Sequence, residues 1–302
     1  MKIFQESAGA VFRRLKAGIA ILFLFALAGL LLKPLAGVSY QAGNFWASDV
    51  LPFIILGIFY AYGIAQRGGR LAQVVGNALM LGYSAALFRI AFTVIDINFQ
   101  VGGYYTDAAL ANVGTVQFAI TYALYPLIPW AAGNLGYLLG SGKLGHYLRR
   151  SRTGLALLGI VALARFATQP LLGLDPAQGA SLLSVTWALL LAAVIYAAVI
   201  ARKGGSFTDL LGTCLALAGI HVLVALLILI DDGLGLQTWY TTPPASGNAP
   251  ATLGHMIGHL FAVPIFGSVL WGPASLIYLI AGGRRLRRTF SAGGRGLIPG
   301  CP

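Results

Sequence analysis

Acidic side chains are scarce in this 302-residue chain: one glutamate, Glu6, and seven aspartates. Even with 20 lysines and arginines, charged residues reach only 9%, against roughly 25% in soluble domains. A soluble fold of this size could not cover its surface with so few charges. Cysteine is nearly missing too. Cys214 sits in an apolar run and Cys301 near the C-terminus, so a disulfide scaffold is excluded. Disordered chains are poor in apolar residues, which excludes disorder for the bulk of this one. Catalytic signatures are lacking as well. There is no Walker loop, no Gly-x-Ser-x-Gly elbow and no acidic cluster for a magnesium-bound diphosphate. A net charge of +12 usually points to nucleic acid. That reading needs a soluble basic face, which this composition does not offer.

What the chain has instead is apolar length. It is 58% hydrophobic, with a mean hydropathy of +0.82. Membrane β-strands would alternate apolar and polar positions over ~10 residues. Runs such as Ile21–Leu32, Ala188–Ile200 and His221–Ile230 are continuous, so helices are expected. A span needs about 20 mostly apolar residues. Eight are predicted: 17–37, 48–66, 73–95, 115–139, 153–173, 181–201, 207–230 and 254–281. The fold expected is an all-α membrane protein of eight transmembrane helices.

The basic residues give the orientation, because short cytoplasmic loops collect lysine and arginine. The N-terminal arm, the second, fourth and sixth loops and the tail hold 17 of the 20. On the opposite side only Lys33 remains, while Arg89 and Arg165 fall inside spans. Both termini are therefore expected in the cytoplasm, with the protein in a bacterial or archaeal cytoplasmic membrane.

The chain also matches itself. At an offset of 136, 23 of the 83 positions in 14–96 are identical without a gap. Lys33-Pro-Leu-Ala-Gly37 meets Gln169-Pro-Leu-Leu-Gly173, Gly68-Gly69 meets Gly204-Gly205, and Asp96 meets Asp232. Further on the register resumes at an offset of 141, where Trp130 meets Trp271 and Tyr137 meets Tyr278. Two parallel-repeat four-helix units are expected, 1–142 and 143–283, followed by a basic, Gly/Pro-rich tail, 284–302. Four spans per unit give both copies one orientation, with pseudo-two-fold symmetry about the membrane normal. The first span has the basic, apolar make-up of a signal peptide, but it is the counterpart of the fifth and is read as a mature helix.

Ionisable groups inside a span mark function or a buried pair. Arg89 and Arg165 both lie in the outer half, and their repeat counterparts are Ala225 and Gly29. Burying a guanidinium costs at least ~2.5–3.5 kcal/mol on insertion scales. Each is expected to face a partner or a wet recess, with Asp49, Asp96, Asp231 and Asp232 as acidic candidates. One reading is a recess for an anionic group, since arginine forks onto carboxylate or phosphate. The other is a buried ion pair, or snorkelling to the interface.

His221 lies inside the seventh span, and His255 and His259 open the eighth. Their spacing of four puts the last two on one helix face. With Asp231 or Asp232 they form a candidate metal site, and His221 with His259 a candidate haem pair. No glutamate lies between His255 and His259, so the metalloprotease motif is not met.

The long loop 231–253 carries Trp239, Tyr240, Pro243, Pro244 and Pro250, and the third loop Tyr104 and Tyr105. These aromatics can anchor at headgroup level, and the long loop can instead cap the outer recess or bind a partner. The tail's Arg-Arg-Leu-Arg-Arg should attract anionic lipid at the cytoplasmic face, and the Gly- and Pro-rich remainder should be disordered. Two functions remain open. One is a non-enzymatic permease-like carrier, or a subunit scaffolding a larger membrane complex with other membrane subunits. The other is a redox or metal protein binding haem or a metal through His221, His255 and His259.

Overall fold

A computed structural model describes residues 2–3, 6–38, 50–106, 115–173, 184–236, 238, 240 and 249–293. Among these, β-structure is confined to one antiparallel pair, β1 (Lys2–Ile3) with β2 (Glu6–Ser7). Everything else regular is helical. Five helices are long and apolar enough to cross a membrane: Ala8–Ala36, Leu71–Phe99, Val185–Arg202, Phe207–Leu234 and Thr252–Gly282. Leu51–Gln66 is a shorter apolar helix. The protein is an all-α, membrane-embedded one. It divides into two compact units, Met1–Gly142 and Lys143–Pro302.

The first unit contains α1 (Ala8–Ala36), α2 (Val50–Gln66), α3 (Leu71–Phe99), a 3-10 turn at Tyr104–Thr106, α4 (Thr115–Leu124) and α5 (Leu127–Gly140). Helix α1 starts nine residues before the predicted span. The Ser7 hydroxyl fixes that start by accepting the Ala10 N–H at 3.2 Å. Gly37, at φ 65°, ends the helix and donates its N–H to the Lys33 carbonyl. The predicted span 115–139 is not one helix. It breaks at Pro126, which has no N–H and disfavours helical geometry in Tyr125 before it.

Glycines let α2 and α5 touch backbone to backbone. A Cβ at Gly57 would sit 2.6 Å from the Pro129 carbonyl oxygen, and one at Gly140 2.6 Å from that of Tyr62. At Gly136 it would run into the Ile58 carbonyl. The Gln66 amide donates to the Gly140 carbonyl at 2.8 Å and the Tyr137 hydroxyl to the Gly69 carbonyl at 3.1 Å. Across α1 and α3 the core is Leu15, Leu22, Leu81 and Ala85, with Phe53 of α2. The Tyr60 hydroxyl accepts the Gly18 N–H at 3.1 Å. At the N-terminal end Arg14 forks onto Glu6 at 2.9 and 2.7 Å and also donates to Asn77.

The second unit contains α6 (Leu144–Arg150), α7 (Arg152–Leu172), α8 (Val185–Arg202), α9 (Phe207–Ala218), α10 (Ile220–Leu234) and α11 (Ala249–Gly293). The predicted span 207–230 is split at Gly219. Helix α11 is longer than the span predicted for it. It continues through Pro264 and Pro273 and on through 284–293, so the start of the tail is helical. Residues 294–302 lie outside the described residues. A box of Ser206 and Asp209 opens α9, and the buried Tyr147 donates its hydroxyl to Asp209 at 3.2 Å. The Tyr196 hydroxyl accepts the Gly154 N–H at 3.2 Å, and Tyr278 donates to the Gly205 carbonyl at 2.5 Å.

Candidate functional site

The second unit gathers three of the four histidines beside Arg165. A cavity of about 280 Å³ is lined by Arg165 of α7, Thr186 of α8, His221 of α10, Tyr240, and His255 and His259 of α11. Apolar Val185 and Val224 complete it. The two histidines of α11 stand one turn apart, with ring centroids 5.1 Å from each other. His221 meets His259 Nδ1 to Nδ1 at 3.1 Å, the rings nearly parallel at 28°. One of those nitrogens carries the hydrogen and the other accepts it, so the pair cannot hold two imidazolium ions facing each other. The Nε2 of His221 is buried and makes no hydrogen bond. The ring rests on Phe266, 4.9 Å between centroids.

Tyr240 closes one side. Of the readings the sequence offers for its loop, a headgroup anchor or a cap on the recess, the buried position, only 6% exposed, fits the cap. Four hydrogen bonds hold it there. The Asp231 carboxylate takes both the N–H and the hydroxyl of Thr238, at 3.1 and 2.8 Å. The Thr238 hydroxyl oxygen accepts the Tyr240 N–H. The Tyr240 hydroxyl then donates to the Ala162 carbonyl on α7 at 3.2 Å. Arg165 lies over the ring, its Cζ 5.3 Å from the centroid, in reach of a cation–π contact. Burial pushes the Tyr240 phenol up to about 12, against an opposing pull from Arg165.

The first unit makes a related arrangement without histidine. Arg89, on α3, places its Cζ 5.5 Å over the Tyr105 ring. Tyr105 is buried and donates its hydroxyl to the Ala26 carbonyl at 2.8 Å. Asp96 is fully buried and accepts the Gly103 N–H at 2.9 Å. Tyr104 likewise turns inward and reaches the Val38 carbonyl. Neither tyrosine of this loop is a surface anchor, because each hydroxyl finds a backbone acceptor inside the unit.

Of the acidic candidates, Asp231 is bound to Thr238 and Asp232 accepts the Thr252 hydroxyl. Asp49, like Trp239, Pro243 and Pro244, lies outside the described residues. Among the described residues, no group of three or more His, Cys, Asp or Glu could hold a metal ion. Iron between opposed histidines needs nitrogens about 4 Å apart, at ~2 Å per metal–nitrogen bond. Here the two Nδ1 atoms face each other directly. Asp231, one position before the residue that the sequence aligns with Asp96, accepts an N–H seven residues on as Asp96 does. Sequence reasoning missed Tyr105 and Tyr240 as seats for the arginines. The signal available was an arginine in one span and a tyrosine just past a span's end. Compared with family models, curated proteins and solved structures, the chain matches none.

Proposed function

We propose that this is an eight-span protein made of a duplicated four-helix unit, with both termini and the basic loops cytoplasmic. Its second unit holds a small anionic group in an outer-half recess. That describes a permease-like carrier, or a subunit scaffolding a larger membrane complex, with anionic lipids at its basic face. Recurring hydroxyl bonds support the duplication. Tyr60 to Gly18 recurs as Tyr196 to Gly154, Tyr105 to Ala26 as Tyr240 to Ala162, and Tyr137 to Gly69 as Tyr278 to Gly205. Just past Gly219, the equivalents Asp231 and Tyr240 come one position early. The break at Gly219 supplies the reason. Gly219 N–H bonds to Ala216 O, and Val222 N–H to Gly219 O, both i to i−3. A 3-10 turn rises about 2.0 Å per residue against 1.5 Å, so the helix keeps its reach with one residue fewer.

The observation carrying the anion reading is the convergence of Arg165, His221, His255 and His259 on one cavity. A guanidinium keeps its charge at any working pH, which favours an anion there and repels a metal cation. Thermal melts of the detergent-purified protein with acetate, phosphate or chloride, at matched ionic strength, test this. One of these anions should raise Tm saturably, since a ligand at 100 times its Kd adds about 2.7 kcal/mol. Arg165→Gln should abolish the shift and Arg89→Gln should keep it. No shift with any anion, or an equal shift in Arg165→Gln, overturns the reading.

A second reading, a redox or metal protein, draws on the same clustering of His221, His255 and His259. A Soret band lost in His221→Ala would carry it. A colourless, metal-free protein would remove it.

A further inference from the structure

The seam between α7 and α8 is open. A cleft of about 430 Å³ runs along it, lined by Leu157 and Val161 on one side and Leu191, Ala192 and Ile195 on the other. Its wall on α8 extends from Ala188 to Val199, about 16 Å at 1.5 Å per residue. Half of a ~30 Å hydrocarbon core is about the same length. The cleft therefore has the length of one leaflet's acyl chain. Leu157 and Leu191 leave it exposed, at 60% and 61%.

One end of this cleft differs chemically from the other. Tyr196 and Thr153 lie there, beside the exposed Arg152, Arg202 and Lys203. The Tyr196 hydroxyl oxygen accepts the Gly154 N–H at 3.2 Å, and its own hydrogen goes to no described residue. The one acidic group nearby in sequence, Asp209, is bound to Ser206 and Tyr147. A hydroxyl donor and a basic cluster thus sit where an apolar groove meets the helix ends. In the first unit the cleft lined by Tyr60 also carries cations, Arg14 and Arg67. There Arg14 is paired with Glu6.

We propose that the α7–α8 cleft binds one anionic glycerophospholipid from the surrounding bilayer. The acyl chain fills the groove, the Tyr196 O–H donates to the ester or phosphate oxygens, and the basic cluster selects the charged headgroup. The proposal rests on the membrane reading alone and is independent of the histidine recess. Each basic residue near the surface favours an anionic lipid about fivefold.

Native mass spectrometry of the full chain tests this. The delipidated protein is reconstituted into vesicles of equimolar phosphatidylcholine and phosphatidylglycerol, then extracted in mild detergent. Wild type should retain one lipid, with phosphatidylglycerol several-fold in excess. Ala192→Trp, which fills the groove, should lose it. Arg202→Gln with Lys203→Gln should bring the two lipids towards equal retention. Ile195→Trp serves where Ala192→Trp fails to fold, since Ile195 is half exposed. No retained lipid, equal retention of both lipids by wild type, a dimer mass in place of lipid, or undiminished retention in the groove-filled variant overturns the proposal.

Discussion

Tyr60, Tyr105, Tyr137, Tyr196, Tyr240 and Tyr278 each join a backbone group on another segment of their own unit. A phenol suits this task in an apolar interior, because its ring packs as hydrocarbon while its oxygen satisfies one polar group. An ion pair does similar work at the N-terminal end, where Glu6 meets Arg14. The Arg14 hydrogen bonds hold the Glu6 carboxyl below its ordinary value of 4.5, with a smaller contribution from Gln73 and against the cost of burial. A carboxyl lowered by folding stabilises the fold fully above its unfolded pKa, and that contribution disappears as pH falls through the folded one. Melting temperature should therefore drop between pH 5 and more acidic conditions in wild type. The drop should be smaller in Glu6→Gln, which starts lower at neutral pH. Equal acid slopes in the two proteins would show that the pair carries no stability.

Elements show where the chain was legible and where it was not. Hydropathy located each long apolar helix, since burial in lipid depends on composition summed over a segment. The break at Pro126 has a covalent cause legible in the sequence, since a proline inside a span kinks or ends its helix. The break at Gly219 has no such marker, because glycine is common in this chain. The choice between headgroup anchor and recess cap for Tyr240 is illegible in the sequence for a related reason: it depends on Asp231 and Thr238, which become partners only in three dimensions. The seam of α2 and α5 is the clearest element-scale device, as membrane helices associate through small residues that let backbones approach. Gly136→Leu must push against the Ile58 backbone, and overpacking costs typically 1–3 kcal/mol or more. Gly63, with nothing within 4 Å of an added Cβ, makes the control. Gly136→Leu should lower Tm and the monodisperse yield on size exclusion, and Gly63→Leu should leave both near wild type.

For the whole molecule, the proposed orientation, with the basic loops cytoplasmic, has a direct test. With Cys214→Ala and Cys301→Ser as background, a membrane-impermeant maleimide should label Asn98→Cys in intact cells. Lys143→Cys should react only once the membrane is opened. The reverse pattern, or labelling of both, would overturn the orientation. The two arginines over tyrosine carry a consequence for the molecule's history. Arg89 comes from α3 and Arg165 from α7, the first long helix of its unit, yet each ends 5.3–5.5 Å above a tyrosine held in the same way. If the halves share an ancestor, the tyrosine was inherited and the cation arrived twice, by separate substitutions on different helices. Selection then acted on a location, the space above that ring, and not on a residue. A descendant that lost Arg165 would be open to regaining its charge from α10, at the position where the first unit already keeps its own.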